Sequence, residues 1–193
     1  MLKKILLSCL ILVSNSTFSK SLALSFDDGL DLVTHPQAQH INDAILNTLK
    51  QNNVHAIIYP SLSKIGANEG LGMIKQWGEQ GHRIGNHGNL HLNLNKDDVN
   101  LSTYLADMQQ GHQAFSTLQG FVPRYRFPFL KEGNTLEKRD GVRQWIKDHH
   151  YQSGAVSIDA SDWFYNQLFL KYQQESDQQS LIKLKQAYIF HLL

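Results

Sequence analysis

The sequence predicts an α/β fold in which parallel strands alternate with helices. Short apolar runs alternate along the chain with segments of helical periodicity. Nearly every candidate functional residue also lies where a predicted strand ends, as is typical of a parallel sheet, open or closed into a barrel. The length of 193 residues suits one domain with one sizeable core.

The first half of the chain reads as strand, helix, strand, helix, strand. The predicted strands are 21–26, 54–59 and 83–85. The predicted helices are 36–52, where apolar residues recur at helical spacing, and a segment around Ile74 and Trp77 that ends near Gly81.

The second half continues the alternation. Asn95 is the predicted N-cap of a long amphipathic helix, with Asp97 and Asp98 in its first turn, where they suit the helix dipole. The remaining predictions are strands at 125–127, 156–158 and 188–192, a helix at 135–150, and helical structure over 164–185 with a break near 176–177.

The two ends of the chain carry their own predictions. Residues 1–19 are typical of a secretory signal peptide: Lys3 and Lys4 precede an apolar run at 5–13, which is shorter than the roughly 20 residues of a membrane span. We expect export to a bacterial periplasm or secretion, with residues 20–193 as the mature domain; an uncleaved anchor is the alternative. Because the chain stops at Leu193, two residues after His191, we expect a truncation that removes a closing segment.

Charge and cysteine content exclude several classes of partner and of metal site. The 18 basic and 17 acidic residues become 16 and 17 without Lys3 and Lys4, so no basic block indicates nucleic acid or stable contact with an anionic membrane. Cys9 is the only cysteine and lies in the predicted leader. A lipoprotein role for Cys9 is weakly supported, and a thiolate metal site in the mature domain is excluded.

Two segments predict a metal site. Asp27 and Asp28 follow the first strand, and one acid can bind a metal ion while the other stays free as a base. His87 and His91, four residues apart, supply two imidazoles. Taken alone, the Asp-Gly pair at 28–29 is also typical of a turn. Each histidine, taken alone, is also typical of a polar loop. Together the segments favour metal-assisted hydrolysis.

Three further segments complete the set of candidates. Arg126, two residues before Pro128, can pair with a carboxylate and fix its direction. Asp159, Asp162 and Trp163 are compatible with a helix start or with a site. His191 would act as an acid near neutral pH if a carboxylate oriented it.

In this order the segments resemble the polysaccharide deacetylase family, also called NodB-homology or carbohydrate esterase family 4, over residues 21–191. The resemblance implies a distorted (β/α) barrel. It also implies one divalent metal ion, zinc, on Asp28, His87 and His91. The roles it implies for the other residues are Asp27 as base, Arg126 as its holder, Asp162 as the group that orients the acid His191, and Phe129, Trp163 and Pro128 at the sugar pocket, with the Phe129 N–H near the oxyanion.

Three features depart from the family pattern. Gly88 stands where the family usually has Ser or Thr, Phe129 is often Tyr, and the segment around His191 is a loose version of the last motif. The resemblance implies a hydrolase that removes acetyl groups from an N- or O-acetylated polysaccharide. The alternatives are an amidase of the same fold acting on a small non-sugar amide, and a truncated carbohydrate-binding product without turnover.

Overall fold

The computed structural model describes residues 21–192, so the predicted signal peptide and Cys9 lie outside the described residues. Five parallel strands form one sheet in the order β1-β2-β3-β4-β5. The strands are β1 (Leu24–Asp28), β2 (Ala56–Pro60), β3 (Arg83–Asn86), β4 (Phe121–Tyr125) and β5 (Gln152–Ser153). The helices are α1 (Ala38–Gln51), α2 (Leu71–Glu79), α3 (Leu101–Phe115), α4 (Leu136–Asp148), α5 (Asp162–Gln174) and α6 (Gln178–Leu192).

The register of the sheet brings the carboxyl ends of the strands to one edge. Asp28 pairs with Pro60 across β1 and β2, and Asn86 pairs with Tyr125 across β3 and β4. Parallel strands joined by helical crossovers leave the loops that follow them on this edge. The predicted α/β fold with a parallel sheet is therefore confirmed.

Two apolar clusters hold the helices against the sheet. The first surrounds Trp77 of α2 and contains Leu46, Ile58, Ile74, Ile84 and Phe115. The second surrounds Tyr125 of β4 and contains Leu94, Tyr104, Met108, Phe127 and Val142. Both include residues of α3, so this helix packs against β3 and β4 directly behind the loop that follows β3.

Several predicted elements are wrong or displaced. Residues 156–158 are not a strand, and the last strand instead lies at β5, where the N–H of Gly154 donates to the carbonyl of Tyr125. Residues 188–192 belong to α6. The strand prediction was wrong because a short apolar run cannot by itself distinguish a strand from a helix. Arg126 follows β4 rather than lying in a strand. The predicted break near 176–177 is confirmed, since it separates α5 from α6.

The predicted N-cap of the long helix is also wrong. Asn100 caps α3, since its side-chain oxygen accepts a hydrogen bond from the N–H of Thr103 at 2.8 Å. The side chain of Asn95 instead accepts a hydrogen bond from the N–H of Gly133.

Candidate metal centre and active site

Asp28, His87 and His91 converge at the carboxyl end of the sheet. Their donor atoms all lie within 4.8 Å of one another. Oδ1 of Asp28 lies 3.0 Å from Nε2 of His91 and 3.5 Å from Nε2 of His87. The two imidazole rings are 4.9 Å apart and meet edge to face. One carboxylate oxygen and two imidazole nitrogens thus point into the same small volume.

The protonation of His87 suits metal binding. Its Nδ1 lies 2.7 Å from the backbone carbonyl of Arg126, which can only accept, so Nδ1 carries the proton. Burial lowers the pKa of His87 to about 4 and keeps the ring neutral. The lone pair of Nε2 therefore faces Asp28 and His91. In metal sites, a hydrogen bond from the other ring nitrogen to a carbonyl, like that from Nδ1 of His87 to Arg126, orients the ligating histidine in this way.

The carboxylate of Asp28 adds a second sign of a cation site. Its Oδ1 is buried and accepts no hydrogen bond from any residue in 21–192, despite its short contacts to two imidazoles. Burial acts to raise the pKa of Asp28, but His91 and His87 outweigh it, and the pKa is lowered. A buried, charged oxygen without a hydrogen-bond donor is costly unless a cation lies beside it. The three residues fit a divalent metal with mixed nitrogen and oxygen ligands.

Asp27 points to the same edge and is held by Arg126. The guanidinium Nη1 donates to both carboxylate oxygens of Asp27, at 2.8 and 3.0 Å. Nη2 donates to Oγ of Ser25 at 3.1 Å, and Nε donates to the carbonyl of Gly154. The guanidinium carbon lies 4.3 Å from the centre of the Tyr59 ring, which forms a cation–π contact beneath it.

The pKa of Asp27 is raised although Arg126 lies beside it. Burial raises the pKa of Asp27, and together with the charges of Asp28 and Asp162 it outweighs the lowering by Arg126. A carboxylate that is fixed in direction and has a raised pKa is suited to take up a proton. Arg126 therefore fixes the orientation of Asp27 without holding its pKa low.

The segment after Arg126 packs against His91 through the ring of Phe129. Pro128 is buried, whereas the Phe129 side chain is 55% exposed and its ring lies 4.6 Å from that of His91. Phe129 and Leu130 both have positive φ, at 57° and 56°. Such backbone is costly for bulky residues and occurs mainly where a site requires it. Among the described residues, no acceptor takes the N–H of Phe129.

The other predicted site residues lie on or before the last two helices. Asp162 begins α5 and accepts a hydrogen bond from the N–H of Trp163, whose side chain is 61% exposed. Asp162 is near enough to Asp27 to raise its pKa. Asp159 accepts a hydrogen bond from the N–H of Ser161. His191 lies in α6 with its ring 5.7 Å from that of Tyr165, and within the described chain no hydrogen bond or ion pair joins it to Asp162.

Sequence reasoning missed three contributors. Ser25 and Tyr59 both hold Arg126. Asp107 is buried in α3 and accepts hydrogen bonds from the loop between the two histidines. The helical spacing could have indicated that Asp107 is buried. It lies three residues after Tyr104 and one before Met108, inside the apolar stripe of the helix.

Residues 14–152 match the sequence profile described as polysaccharide deacetylase. The chain belongs to the polysaccharide deacetylase family. The matched segment contains Asp27, Asp28, His87, His91 and Arg126. It ends before Asp162, Trp163 and His191.

Individual deacetylases of the family show the same likeness. The chain is 32% identical over 142 residues to a peptidoglycan-N-acetylglucosamine deacetylase of Bacillus cereus, covering 73% of this chain and 46% of that protein. Among solved structures, a peptidoglycan N-acetylglucosamine deacetylase bound to 4-naphthalen-1-yl-N-oxidanyl-benzamide is 28% identical, with a TM-score of 0.59 over 74% of this chain and 59% of that one. The chitin deacetylase of the fungal pathogen Colletotrichum lindemuthianum is 26% identical, with a TM-score of 0.56 over 75% and 58%.

The chain spans only part of the length of these relatives: 46% of the curated protein and 59% and 58% of the two solved chains.

Among residues 21–192, no helix is both long and apolar enough to span a bilayer.

Proposed function

We propose that this chain is a metal-dependent deacetylase that hydrolyses the N-acetyl groups of a glucosamine-containing polysaccharide. The observation that carries the proposal is the convergence of Asp28, His87 and His91 within 4.8 Å, beside a carboxylate that Arg126 holds through two hydrogen bonds. Three ligands and a separate base are the parts that metal-assisted hydrolysis requires.

Zinc is the metal that these ligands suit best. Two imidazole nitrogens and one carboxylate oxygen are the ligand types of catalytic zinc sites, which keep a position open for water. When bound, zinc supplies a water of lowered pKa and polarises the acyl carbonyl. The hydrogen bond from His87 to the carbonyl of Arg126 leaves Nε2 ready for the ion.

Asp27 is the proposed base. It lies beside the metal ligand Asp28 and has no donor other than Arg126 among the described residues. Its raised pKa brings its proton affinity closer to that of the group it deprotonates. The guanidinium cannot lose its own proton, so it orients Asp27 without competing for the transferred one.

The N–H of Phe129 is the proposed donor to the oxyanion that forms on the acyl oxygen. It is free of other acceptors within residues 21–192, and Phe129 packs against the ligand His91. A fixed N–H of this kind stabilises developing charge because it is already oriented when the charge appears. The exposed rings of Phe129 and Trp163, with Pro128 beneath the loop, are the proposed walls for the sugar.

His191 and Asp162 remain the proposed acid and its orienting group. The support is the order of motifs in the sequence together with the proximity of Asp162 to Asp27. In this role His191 protonates the leaving amine, and acetate and a free amino sugar are the products.

The proposed substrate follows from what the relatives share. Their names describe deacetylation of peptidoglycan N-acetylglucosamine and of chitin, and both polymers carry N-acetyl groups on glucosamine. We place the reaction outside the cytoplasm, in a bacterial periplasm or the medium, since residues 1–19 have the pattern of a signal peptide.

The experiment is acetate release from acetylated chito-oligosaccharides by residues 20–193, first after chelation and then after zinc is restored. Zinc-dependent release is the expected result. An acetylated xylan and a small non-sugar amide serve as parallel substrates, since turnover of either one alone would overturn the proposed substrate class. Zinc binding without release from any of them would instead support a carbohydrate-binding product.

A hydroxamate provides an independent check. A relative of known structure binds an N-hydroxybenzamide, whose two oxygens can chelate a metal ion. The same compound is expected to inhibit this chain and to bind much more weakly to its metal-free form. Equal binding to both forms would contradict a metal centre at Asp28, His87 and His91.

A further inference from the structure

Residues 88–90, between the two proposed histidine ligands, are fixed by hydrogen bonds to their carbonyl oxygens and from their N–H groups. Two of the bonds from the N–H groups end on one buried carboxylate, that of Asp107. The carbonyl oxygens are bound from the segment after β2: the N–H of Leu62 donates to Gly88, and the N–H of Ser63 donates to Asn89. Oγ of Ser61 also donates to the carbonyl of Asn89.

The N–H groups of residues 88–90 bind side chains of β3 and α3. The N–H of Gly88 donates to Oδ1 of Asn86 at 2.9 Å. The N–H of Asn89 donates to Oδ2 of Asp107 at 3.0 Å, and that of Leu90 donates to Oδ1 of Asp107 at 2.6 Å. Each oxygen of Asp107 thus binds one backbone N–H, and Asp107 forms no ion pair within the described chain.

The same carboxylate leaves no room for a side chain at Gly88. The φ of Gly88 is +83°, and a Cβ atom at this position would lie 2.4 Å from Oδ2 of Asp107. A side chain is therefore excluded both by the left-handed backbone and by the carboxylate. In this chain the loop is fixed by a carboxylate that binds backbone amides, in place of a side-chain hydroxyl at position 88.

We propose that Asp107 is the positioning residue of the metal centre: by binding the N–H groups of Asn89 and Leu90 it fixes the turn that places His87 and His91 on one ion. Asp107 does not touch the ion or the substrate. It acts through the backbone, and His91 follows the turn with a φ of +55°. This inference rests on the proposed function, because its readout is affinity for the metal.

The test compares zinc affinity by competition with a chelator in the wild-type chain, Asp107→Asn and Gln110→Ala. The amide of Asn offers one acceptor and one donor, so one of the two loop N–H groups loses its partner. We expect Asp107→Asn to bind zinc about 10- to 100-fold more weakly, the range for loss of an orienting outer partner. Gln110→Ala is the matched control, because Gln110 lies on the same helix and accepts a hydrogen bond from the side chain of Asn89 rather than from its backbone. The zinc affinity of this variant is expected to equal that of the wild type.

Amide hydrogen exchange gives a readout that does not depend on the variants folding. In the metal-free wild-type protein, the amides of Asn89 and Leu90 are expected to exchange slowly, although the Leu90 side chain is 58% exposed. Exchange as fast as that of Asp98, in an exposed loop, would overturn the proposal. Equal zinc affinity in Asp107→Asn and the wild type would also overturn it, whereas a wild-type chain that binds no zinc would refute the proposed metal centre itself.

Discussion

Among the individual residues of the site, Arg126 sets the hydrogen bonding of both His87 and Asp27. The carbonyl of Arg126 assigns the proton of His87 to Nδ1, and the guanidinium of Arg126 leaves Asp27 as an acceptor only. Arg126 thus contacts both the proposed metal ligand His87, through its backbone, and the proposed base Asp27, through its side chain. Because Gly154, Ser25 and Tyr59 also hold its side chain, the geometry of the base depends on β1, β2 and the segment after β5 together.

The role of Asp27 gives the first prediction. Asp27→Asn keeps the shape of the side chain but removes its ability to take up a proton, so turnover is expected to fall by ~10²- to 10⁴-fold. The zinc content is expected to stay unchanged, because Asp28, His87 and His91 remain. Acetate release and metal content are measured on the same preparation.

The matched control for Asp27→Asn is Asp31→Asn. Asp31 lies in the following loop, where it accepts a hydrogen bond from the N–H of Val33, and this variant is expected to keep wild-type turnover. Wild-type turnover in Asp27→Asn would remove Asp27 from the role of base.

At the scale of secondary-structure elements, the position of residues 88–90, between the two proposed histidine ligands, depends on how closely α3 approaches β3. Gly111 of α3 permits this approach, since a Cβ there would lie 2.3 Å from Oδ1 of Asn86 and 3.0 Å from the backbone of Gly88. Asn86 in turn binds the carbonyl of Met108 in α3. The small residue on the helix and the polar residue on the strand therefore form one contact between the two elements.

Gly111→Ala tests this contact. The added methyl group must displace Asn86, and we expect a loss of about 1–3 kcal/mol in the free energy of unfolding, together with weaker zinc binding. Both are measured by denaturant unfolding and chelator competition.

Gly72→Ala is the control for the same chemical change. Gly72 lies in α2, and a Cβ there meets no atom within 4 Å. Since Ala favours helix over Gly by up to about 1 kcal/mol, this variant is expected to be at least as stable as the wild type. Equal stability changes in the two variants would show that helix propensity, rather than the approach of α3 to β3, sets the effect at Gly111.

The sequence was sufficient to predict the elements that carry the metal ligands. Asp27, Asp28, His87 and His91 lie at strand ends that are followed directly by loops, and a parallel register brings such ends together. Asp107 could not be assigned in this way, because it lies in the middle of a helix and contacts the loop only through tertiary packing. The predicted strand at 188–192 was wrong because the four apolar residues around His191 fit either a strand or a turn of helix.

Across the whole molecule, the proposed site divides into two parts with different support. The proposed metal ligands, the proposed base and Arg126 lie at the strand ends or in the loops that follow them, within the segment that matches the family. Asp162, Trp163 and His191 lie on α5 and α6, neither of which contains a buried residue. The assignment of the acid is therefore tested separately from the assignment of the metal centre.

His191→Gln provides that test. With His191 as the acid, turnover is expected to fall by ~10²- to 10⁴-fold with unchanged zinc content, because the leaving amine is no longer protonated. His150→Gln, an exposed histidine at the end of α4, is the control. Wild-type turnover in His191→Gln would exclude His191 and assign the protonation step to another group.

The stability of the whole chain gives a prediction at the opposite end of the sheet. His82 is buried, and its Nδ1 accepts a hydrogen bond from the N–H of Ala56 at 3.3 Å, so the ring is neutral. Burial, and to a lesser extent the charge of His55, lower the pKa of His82. Below a pH of about 6.5 the unfolded chain takes up a proton at this residue while the folded chain does not.

Stability that depends on neutral His82 is therefore complete above that pH and is lost as the pH falls towards the lowered pKa of the folded state. The slope is at most about 1.4 kcal/mol per pH unit for one proton. His82→Asn is expected to reduce the slope, because the amide oxygen can accept from Ala56 but does not titrate. His87, with a pKa lowered to about 4, adds the same slope to both proteins. Denaturant unfolding on both sides of the ordinary histidine pKa measures the difference, and identical slopes would show that His82 is protonated to the same extent in the folded and unfolded chains.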